Sequence, residues 1–411
     1  MKILHLCTYD RGGAGNAALR LHRGLLTLGV ESVFCSREGT AADPTEINAA
    51  NSPLKKAWYR QVPRLEYHFA RWSHPLTQPV LPTMRLPGCG LRAIQEVAPD
   101  LVNLHWVEHG LIPPRDLGRL VRMEIPLVWT LHDMSPLTGG FGFREVAGLP
   151  PTPFGPLVSQ DRRQPLSERI LERTRQSLRQ GRLTVVSPSR WLAEEAKQSP
   201  VFSEHDIRCI PNGVDETVFR PMDRAECRKR WDLPSNQPVI LFGADTFSDS
   251  RKGLHHLQAA LGFLTRESGK GAPLLVGFGN HDLIDSSLFP VPVRGIGRVS
   301  DAAELASLYS AADVFACPSR EDNLPNTMLE SLACGTPVVG FQVGGLMDFV
   351  IEGQTGGLAT CFNENELAIV LDRVLTNASS MRPQCRQTAL DFFPLKRQAL
   401  AYRSLYQEML S

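Results

Sequence analysis

From Cys317 to Phe341 the sequence runs CPSREDNLPNTMLESLACGTPVVGF. It places Glu321 and Asp322 in a loop with Pro and Asn, and Glu330 on a short predicted helix that starts near Asn326 or Thr327 and ends at Gly335. The apolar run ADVFACPS just before it reads as a strand. Exposed amides at such a helix start, with the positive end of the helix dipole, make an anion site. Asp322 is then placed to accept hydrogen bonds from hydroxyls, Glu330 to direct a carboxylate at whatever lies over the helix start, and the turn Asn323-Leu324-Pro325-Asn326 to line the ligand. The competing reading is a capped helix with acids in its first turn.

Three other groups have types suited to chemistry. Arg251 and Lys252 precede Gly253 after the strand-like PVILFGAD. Fixed cations there would stabilise negative charge that grows on a leaving group, more in the transition state than in the ground state; a solvated basic pair is the alternative. Arg11-Gly12-Gly13-Ala14-Gly15 follows the first strand, and glycines let backbone amides approach a phosphate or sugar ring. Gly13, Gly15 and Ala18 also fit the G-x-G-x-x-A dinucleotide fingerprint, which would imply an oxidoreductase; that pattern expects an acid at the end of the second strand, where Cys35-Ser36-Arg37 stands instead. His132 closes VWTLHD and is suited either to bonding a sugar-like hydroxyl or to bonding backbone, and His105 in NLHWV is placed to support it from beneath.

These residues need elements that hold them. Met1–Tyr9, Val30–Cys35, Asp100–Val107, Ile125–Asp133 and Leu183–Ser189 read as strands separated by helical patterns. Gln237–Asp245, Pro273–Gly279, Val291–Gly297, Ala312–Ser319 and Thr336–Phe341 repeat the rhythm. Strand, helix, strand at this spacing means parallel sheet. The expected fold is α/β, with two doubly wound, Rossmann-like domains facing across a cleft: an N-terminal domain over 1–207, a second over 208–390, and a terminal helix within 391–411 crossing back to the first. The divide lies near RCIPNGVDETVF, where Pro211, Asn212 and Gly213 break both patterns. Ligands of open parallel sheets bind outside the carboxyl ends of the strands, and every group named above falls there.

The 411 residues suit two domains, and Lys plus Arg (44) nearly cancels Asp plus Glu (43), which gives nucleic acid no support as a partner. Nine scattered cysteines without a C-x-x-C pair point to reduced, mostly buried thiols. No apolar run approaches the roughly 20 residues of a membrane span, so a cytoplasmic location is expected. Lys55–Trp72 and Glu168–Arg182 combine basic and aromatic or apolar residues; they are candidates for peripheral contact with the inner face of the membrane, or solvated helix faces. The Pro-rich stretch Gly139–Leu166 is too long for a plain connector and reads as a lid or a surface loop. No Asp-x-Asp pair occurs in the sequence; Glu204-His205-Asp206 comes nearest and follows no clear strand.

DNLPNTMLESLACGTPVV resembles the donor-binding signature of retaining glycosyltransferases of family 4, which have the two-domain GT-B architecture. RGGAGNAALRLHRGL, NLHWV, TLHDMSPLTGG, VVSPSRWL, IPNGVD, RKG and GGLMDFV resemble family segments in the same order across nearly the whole chain, most like the capsular and exopolysaccharide branch. The resemblance implies a nucleoside diphosphate sugar as donor and a glycan or lipid-linked polysaccharide precursor as acceptor, and, with no Asp-x-Asp pair in the chain, no metal or other cofactor is expected. It assigns donor-sugar hydroxyls to Asp322, the nucleotide ribose to Glu330, the diphosphate to Lys252, Arg251, the Gly12 and Gly13 amides and the Asn323–Asn326 turn, and catalytic support to His132. The nucleobase falls to Arg298 and Val299, in the loop after VPVRGIG. Ser189, Arg190, Asn212 and Gly213 resemble secondary family positions. Many relatives carry Glu where Asp322 stands and an Arg right after the strand glycine, where this chain has Ala244 after Gly243. A nucleotide-sugar epimerase on the same plan and a non-catalytic sugar-nucleotide sensor are the alternatives.

Overall fold

The computed structural model describes residues 1–73, 88–143, 165–267, 271–279 and 286–411. The chain divides into two units, Met1–Gly213 with Leu395–Ser411, and Val214–Pro394. In the first, strands β1 (Lys2–Cys7), β2 (Glu31–Ser36), β3 (Glu46–Asn48), β4 (Leu101–Leu104), β5 (Leu127–Thr130), β6 (Leu183–Ser187) and β7 (Asp206–Cys209) form one parallel sheet in the order β3-β2-β1-β4-β5-β6-β7. The helices between them are α1 (Gly12–Thr27), α2 (Pro53–Ser73), α3 (Gly90–Val97), α4 (Pro114–Val121), the single turn α5 (Ser135–Thr138), α6 (Pro165–Leu178) and α7 (Arg190–Gln198). β1, β4, β5 and β6 are almost wholly buried, as strands covered on both faces must be.

In the second unit α8 (Arg224–Arg230) precedes β8 (Val239–Ala244), α9 (Leu254–Glu267), β9 (Leu274–Gly279), β10 (Val293–Gly297), α10 (Ala302–Ala311), β11 (Val314–Cys317), α11 (Asn326–Ala333), β12 (Val338–Phe341), α12 (Leu346–Phe349), β13 (Gly356–Ala359) and the long α13 (Glu364–Phe392). Its parallel sheet runs β10-β9-β8-β11-β12-β13. Local signals set its helix starts: Asp301 accepts from the amide of Glu304 at 2.8 Å and Asn363 from that of Glu366 at 3.1 Å. Gly335, at φ +75°, follows α11 and frees the chain to turn into β12.

The last helix, α14 (Leu395–Leu410), belongs to the first unit. Its Ala399, Tyr402, Leu405, Tyr406 and Met409 are buried against Ile3, Leu21, Leu25, Val128 and Val186. Two polar residues in mid-sheet gain their partners from it: the Asn103 side-chain amide donates to the Tyr406 hydroxyl at 2.7 Å, and the Thr130 and Tyr402 hydroxyls lie 3.0 Å apart. The Thr130 hydroxyl also donates to Asn103 Oδ1 at 3.0 Å, and without Tyr406 the Asn103 side-chain N–H would lose its bond to the helix, a loss of the kind that costs about 1–3 kcal/mol.

Three strands have no counterpart among the strand runs read from the sequence: β3, β7 and β13. Asp206, read from sequence as following no clear strand, opens β7. α1 also begins at Gly12, four residues before the expected start near Asn16, so Gly13, Gly15 and Ala18 all lie on the helix. There a Cβ on Gly15 would sit 2.6 Å from the Tyr9 carbonyl oxygen, so this glycine is required by the close turn from strand to helix. All nine cysteines are free thiols, seven of them buried. No helix among the described residues is long and apolar enough to cross a membrane.

Candidate functional site

In the second unit the structure gathers the expected cations and the expected acid. Arg251 and Lys252 lie on a single 3-10 turn, Ser250–Lys252, between β8 and α9, and Asp322 lies in the loop after the neighbouring strand β11. Lys252 Nζ donates to Asp322 Oδ2 at 2.6 Å, Arg251 Nη1 stands 3.6 Å from the same oxygen, and the Ser319 hydroxyl donates to it at 3.3 Å. Burial alone would raise the Asp322 pKa, but the charges of Lys252 and Arg251 outweigh it and hold the carboxyl below its ordinary value. Asp322 is therefore ionised at neutral pH and acts as a hydrogen-bond acceptor. Arg251 is further anchored by Asp249 at 2.9 Å and by the Glu321 carbonyl at 3.3 Å. Lys252 keeps 24% of its side chain exposed.

Two glycines permit this geometry. Gly253, at φ +71°, lies so close to Pro318 that an added Cβ would overlap the Pro318 carbonyl oxygen. Gly344, at φ +51°, lies equally close to the carbonyl oxygen of Asp322, and the Gly345 amide donates to that oxygen at 3.2 Å. The GGLMDFV segment thus fixes the backbone of the acidic loop from the β12 side.

Asn323, Leu324 and Pro325 are buried and carry the chain into α11, which starts at Asn326. Glu330, expected to face a ligand over the helix start, is only 5% exposed, and its Oε2 accepts from the hydroxyl of the fully buried Tyr309 at 3.2 Å. The carboxylate is held from within the fold. Glu321 is buried as well, so of the two adjacent acids it is Asp322 that reaches the cations. Arg298 is exposed in the loop after β10, while Val299 packs partly against the core.

In the first unit Gly12 and Gly13 open α1 after β1, with Arg11 extended before it, and nothing lies within 4 Å of a Cβ placed on either glycine. His132 follows β5 and His105 follows β4; they line a cavity of about 40 Å³ with Trp106, Glu108, Asp133 and Ser135. His105 Nδ1 lies 3.0 Å from His132 Nε2, and His105 Nε2 lies 3.0 Å from Nδ1 of His5 on β1. Burial pushes His132 down to about 4 and His5 and His105 well below the usual imidazole range, so all three are neutral. Trp106 Nε1 donates to Asp133 at 2.9 Å, and Asp133 also accepts the Ser135 hydroxyl at 2.6 Å.

The sequence pattern places His105 beneath His132 but does not single out His5, a lone polar residue in the apolar run KILHLC. Ser189 serves as the N-cap of α7, accepting from the Leu192 amide at 3.1 Å. The candidate membrane stretches fall on α2 and α6. On α2, Leu54 and Trp58 are exposed; on α6, Arg169 and Arg173 alternate with Glu168 and Glu172, as on a solvated face. The candidate lid lies largely outside the described residues. Among the described residues, no group of three or more His, Cys, Asp or Glu is disposed to hold a metal ion.

Residues 11–218 match the family model "Glycosyltransferase Family 4", and residues 237–377 match "Glycosyl transferases group 1". The chain belongs to glycosyltransferase family 4. A D-inositol 3-phosphate glycosyltransferase 2 of Catenulispora acidiphila is 25% identical over 90% of this chain and 83% of its own length. A D-inositol 3-phosphate glycosyltransferase of Stackebrandtia nassauensis is 33% identical over 42% of this chain and 41% of its own. Among solved structures, sucrose-phosphate synthase from Thermosynechococcus elongatus superposes with a TM-score of 0.69 at 21% identity, covering 100% of this chain and 99% of that one. HepE of Anabaena, in complex with UDP and glucose, does so at 0.65 and 15% identity over 99% of each chain. Such identities carry the fold, and the family 4 enzyme has two GT-B-type α/β domains built on the seven- and six-stranded sheets described above.

Proposed function

We propose that this glycosyltransferase moves a hexosyl group from a nucleoside diphosphate sugar to a glycan or lipid-linked polysaccharide precursor, with retention of anomeric configuration and without a divalent metal. The observation that carries the reading is the Lys252–Asp322 pair, 2.6 Å apart with Arg251 beside it, between strand β8 and helix α11. Asp322 accepts from hydroxyls of the donor sugar. Lys252 and Arg251, with the amides at the start of α11, take up the charge that develops on the diphosphate as the sugar bond breaks. Glu330 holds the ribose, Arg298 and Val299 lie toward the base, and Gly12, Gly13 and His132 are assigned to the donor on the family resemblance. The sugar bond loosens toward an oxocarbenium ion while the leaving phosphate accepts the acceptor's proton on the same face, so no strong protein base is required.

The complex of the Anabaena neighbour with UDP and glucose puts uridine diphosphate sugars first among donors to test. The names of the curated relatives favour a second acceptor class, a phosphorylated polyol. A thermal-shift screen across nucleoside diphosphate sugars should single out the donor, because a ligand that binds only the folded state stabilises it. Transfer is then followed with glycan, lipid-linked and inositol phosphate acceptors, and the product's anomeric configuration is read by NMR. Donor turnover without any acceptor would favour an epimerase, none with every acceptor a sensor, and an inverted product would refute retention. Initial rates should survive exhaustive chelation; loss of turnover that magnesium or manganese restores would mean that Lys252, Arg251 and the helix amides do not suffice to neutralise the leaving diphosphate.

A further inference from the structure

The three hydrogen-bonded histidines admit a proton count. His5, His105 and His132 are neutral, so six ring nitrogens share three protons. Each of the two contacts, His5 Nδ1 to His105 Nε2 and His105 Nδ1 to His132 Nε2, holds one proton between its nitrogens. The third must sit at one end of the chain: on His5 Nε2 or on His132 Nδ1. His5 is fully buried, and its Nε2 has no hydrogen-bond partner among the described residues. A buried N–H without an acceptor is among the rarest features of folded proteins. The remaining proton therefore belongs at the outer end.

We propose that His5 and His105 are positioning residues that set the tautomer of His132, keeping its proton on Nδ1 as a neutral hydrogen-bond donor to a hydroxyl of the sugar substrate. The part played by the substrate rests on the proposed transferase reading; the proton arrangement does not. The fold makes the relay rigid. His5 pairs in register with Asn103 across β1 and β4, the His105 amide donates to the Leu6 carbonyl at 2.9 Å, and successive rings stand 5.3 Å apart with planes inclined by 30°. A His132 with its proton on Nδ1 can donate to a hydroxyl but cannot accept its proton at that nitrogen. It polarises and orients the substrate, and it does not act as a general base.

The test reads tautomers directly in the full-length protein, labelled with ¹⁵N-histidine and observed without substrate at neutral pH. All three rings should carry the proton on Nδ1. His5→Asn keeps a donor, its Nδ2, near the position of imidazole Nδ1, and should leave His132 unchanged. His5→Asp offers only acceptors, so it should draw the proton of His105 to Nε2 and, through it, place the proton of His132 on Nε2. Turnover at saturating donor should fall at least about tenfold in His5→Asp and stay within about threefold of the parent in His5→Asn. A parent spectrum with any of the three protons on Nε2 would overturn the proposal, as would a His5→Asp protein in which His105 is neutral and His132 keeps its proton on Nδ1. If His5→Asp does not fold, the parent spectrum still decides, because an Nε2 proton on any of its three rings is fatal by itself. Absence of transfer with every donor would count against the transferase reading and leave the tautomers standing.

Discussion

Lys252 and Glu330 show how one charged side chain can be shared with a ligand while another is held by the fold. Lys252 is tied to Asp322 yet partly exposed, so a diphosphate can share its ammonium. Lys252→Ala should lower the maximal rate on the order of 100-fold, with a smaller rise in the donor's Michaelis constant, since the charge matters most as the leaving group departs. Arg251→Ala shows whether the pair divides the task, and an unaltered rate at saturating donor in Lys252→Ala would remove the role. Glu330 differs because it accepts from buried Tyr309. Glu330→Gln keeps an acceptor for that hydroxyl and loses the charge, so it should melt near the parent while donor affinity falls by about 1.5–3 kcal/mol. Glu330→Ala should in addition lose roughly 1–3 kcal/mol of stability, measured by urea denaturation. Equal donor affinity in the parent and Glu330→Gln would make the acid purely structural.

The elements that hold these residues were legible to the extent that both their faces are buried. β1, β4, β5, β6, β8, β11 and β12 are short apolar runs, and helix α14 falls within the 391–411 segment read as a terminal helix. The three strands without a sequence signal, β3, β7 and β13, are all at sheet edges. β7 reads DIRC with most of its residues exposed, and β13 reads GGLA, so neither shows the apolar run that marks a central strand. The candidate site follows the same rule. Loop residues such as Asp322 and Lys252 stand out by type, whereas His5 disappears in an apolar strand, and the burial of Glu330 depends on Tyr309, 21 positions away in sequence. Loop contacts also carry a test. Gly344→Ala would place a Cβ on the carbonyl of Asp322 in a left-handed conformation, and should cost at least about 1–2 kcal/mol of stability while weakening donor binding. Gly262→Ala, on α9 with nothing within 4 Å of its added Cβ, is the control and should be neutral or slightly stabilising. Parent-like donor affinity in Gly344→Ala, read by calorimetric titration, would show that this glycine does not hold the acidic loop in place.

Among the described residues, the histidines with strongly depressed pKa values are unevenly placed. His5, His22, His105, His109 and His132 all lie in the first unit. Burial is the leading cause in each: His22, His109 and His132 are pushed to about 4, His5 and His105 well below the ordinary 6.5. In the unfolded chain the same residues titrate near 6.5. Between pH 6.5 and 4 the unfolded state therefore binds more protons than the folded one, and stability must fall as pH falls. Above 6.5 the five histidines exert no such penalty; it grows through the window and levels off for each group only below its folded value. The carboxyls held low in the second unit, Asp322 and Glu364, act in the same direction but only once the pH approaches the ordinary carboxylate range near 4. Mild acid should thus loosen the first unit before the second. Native-state hydrogen exchange at pH 7.5 and 5.0, corrected for the intrinsic pH dependence of exchange, should show lower opening free energies in β1, β4 and β5 at the lower pH, with those of β8, β11 and β12 nearly unchanged. Equal losses in both units, or a first unit as stable at pH 5.0 as at 7.5, would mean that these histidines are not held neutral by the fold.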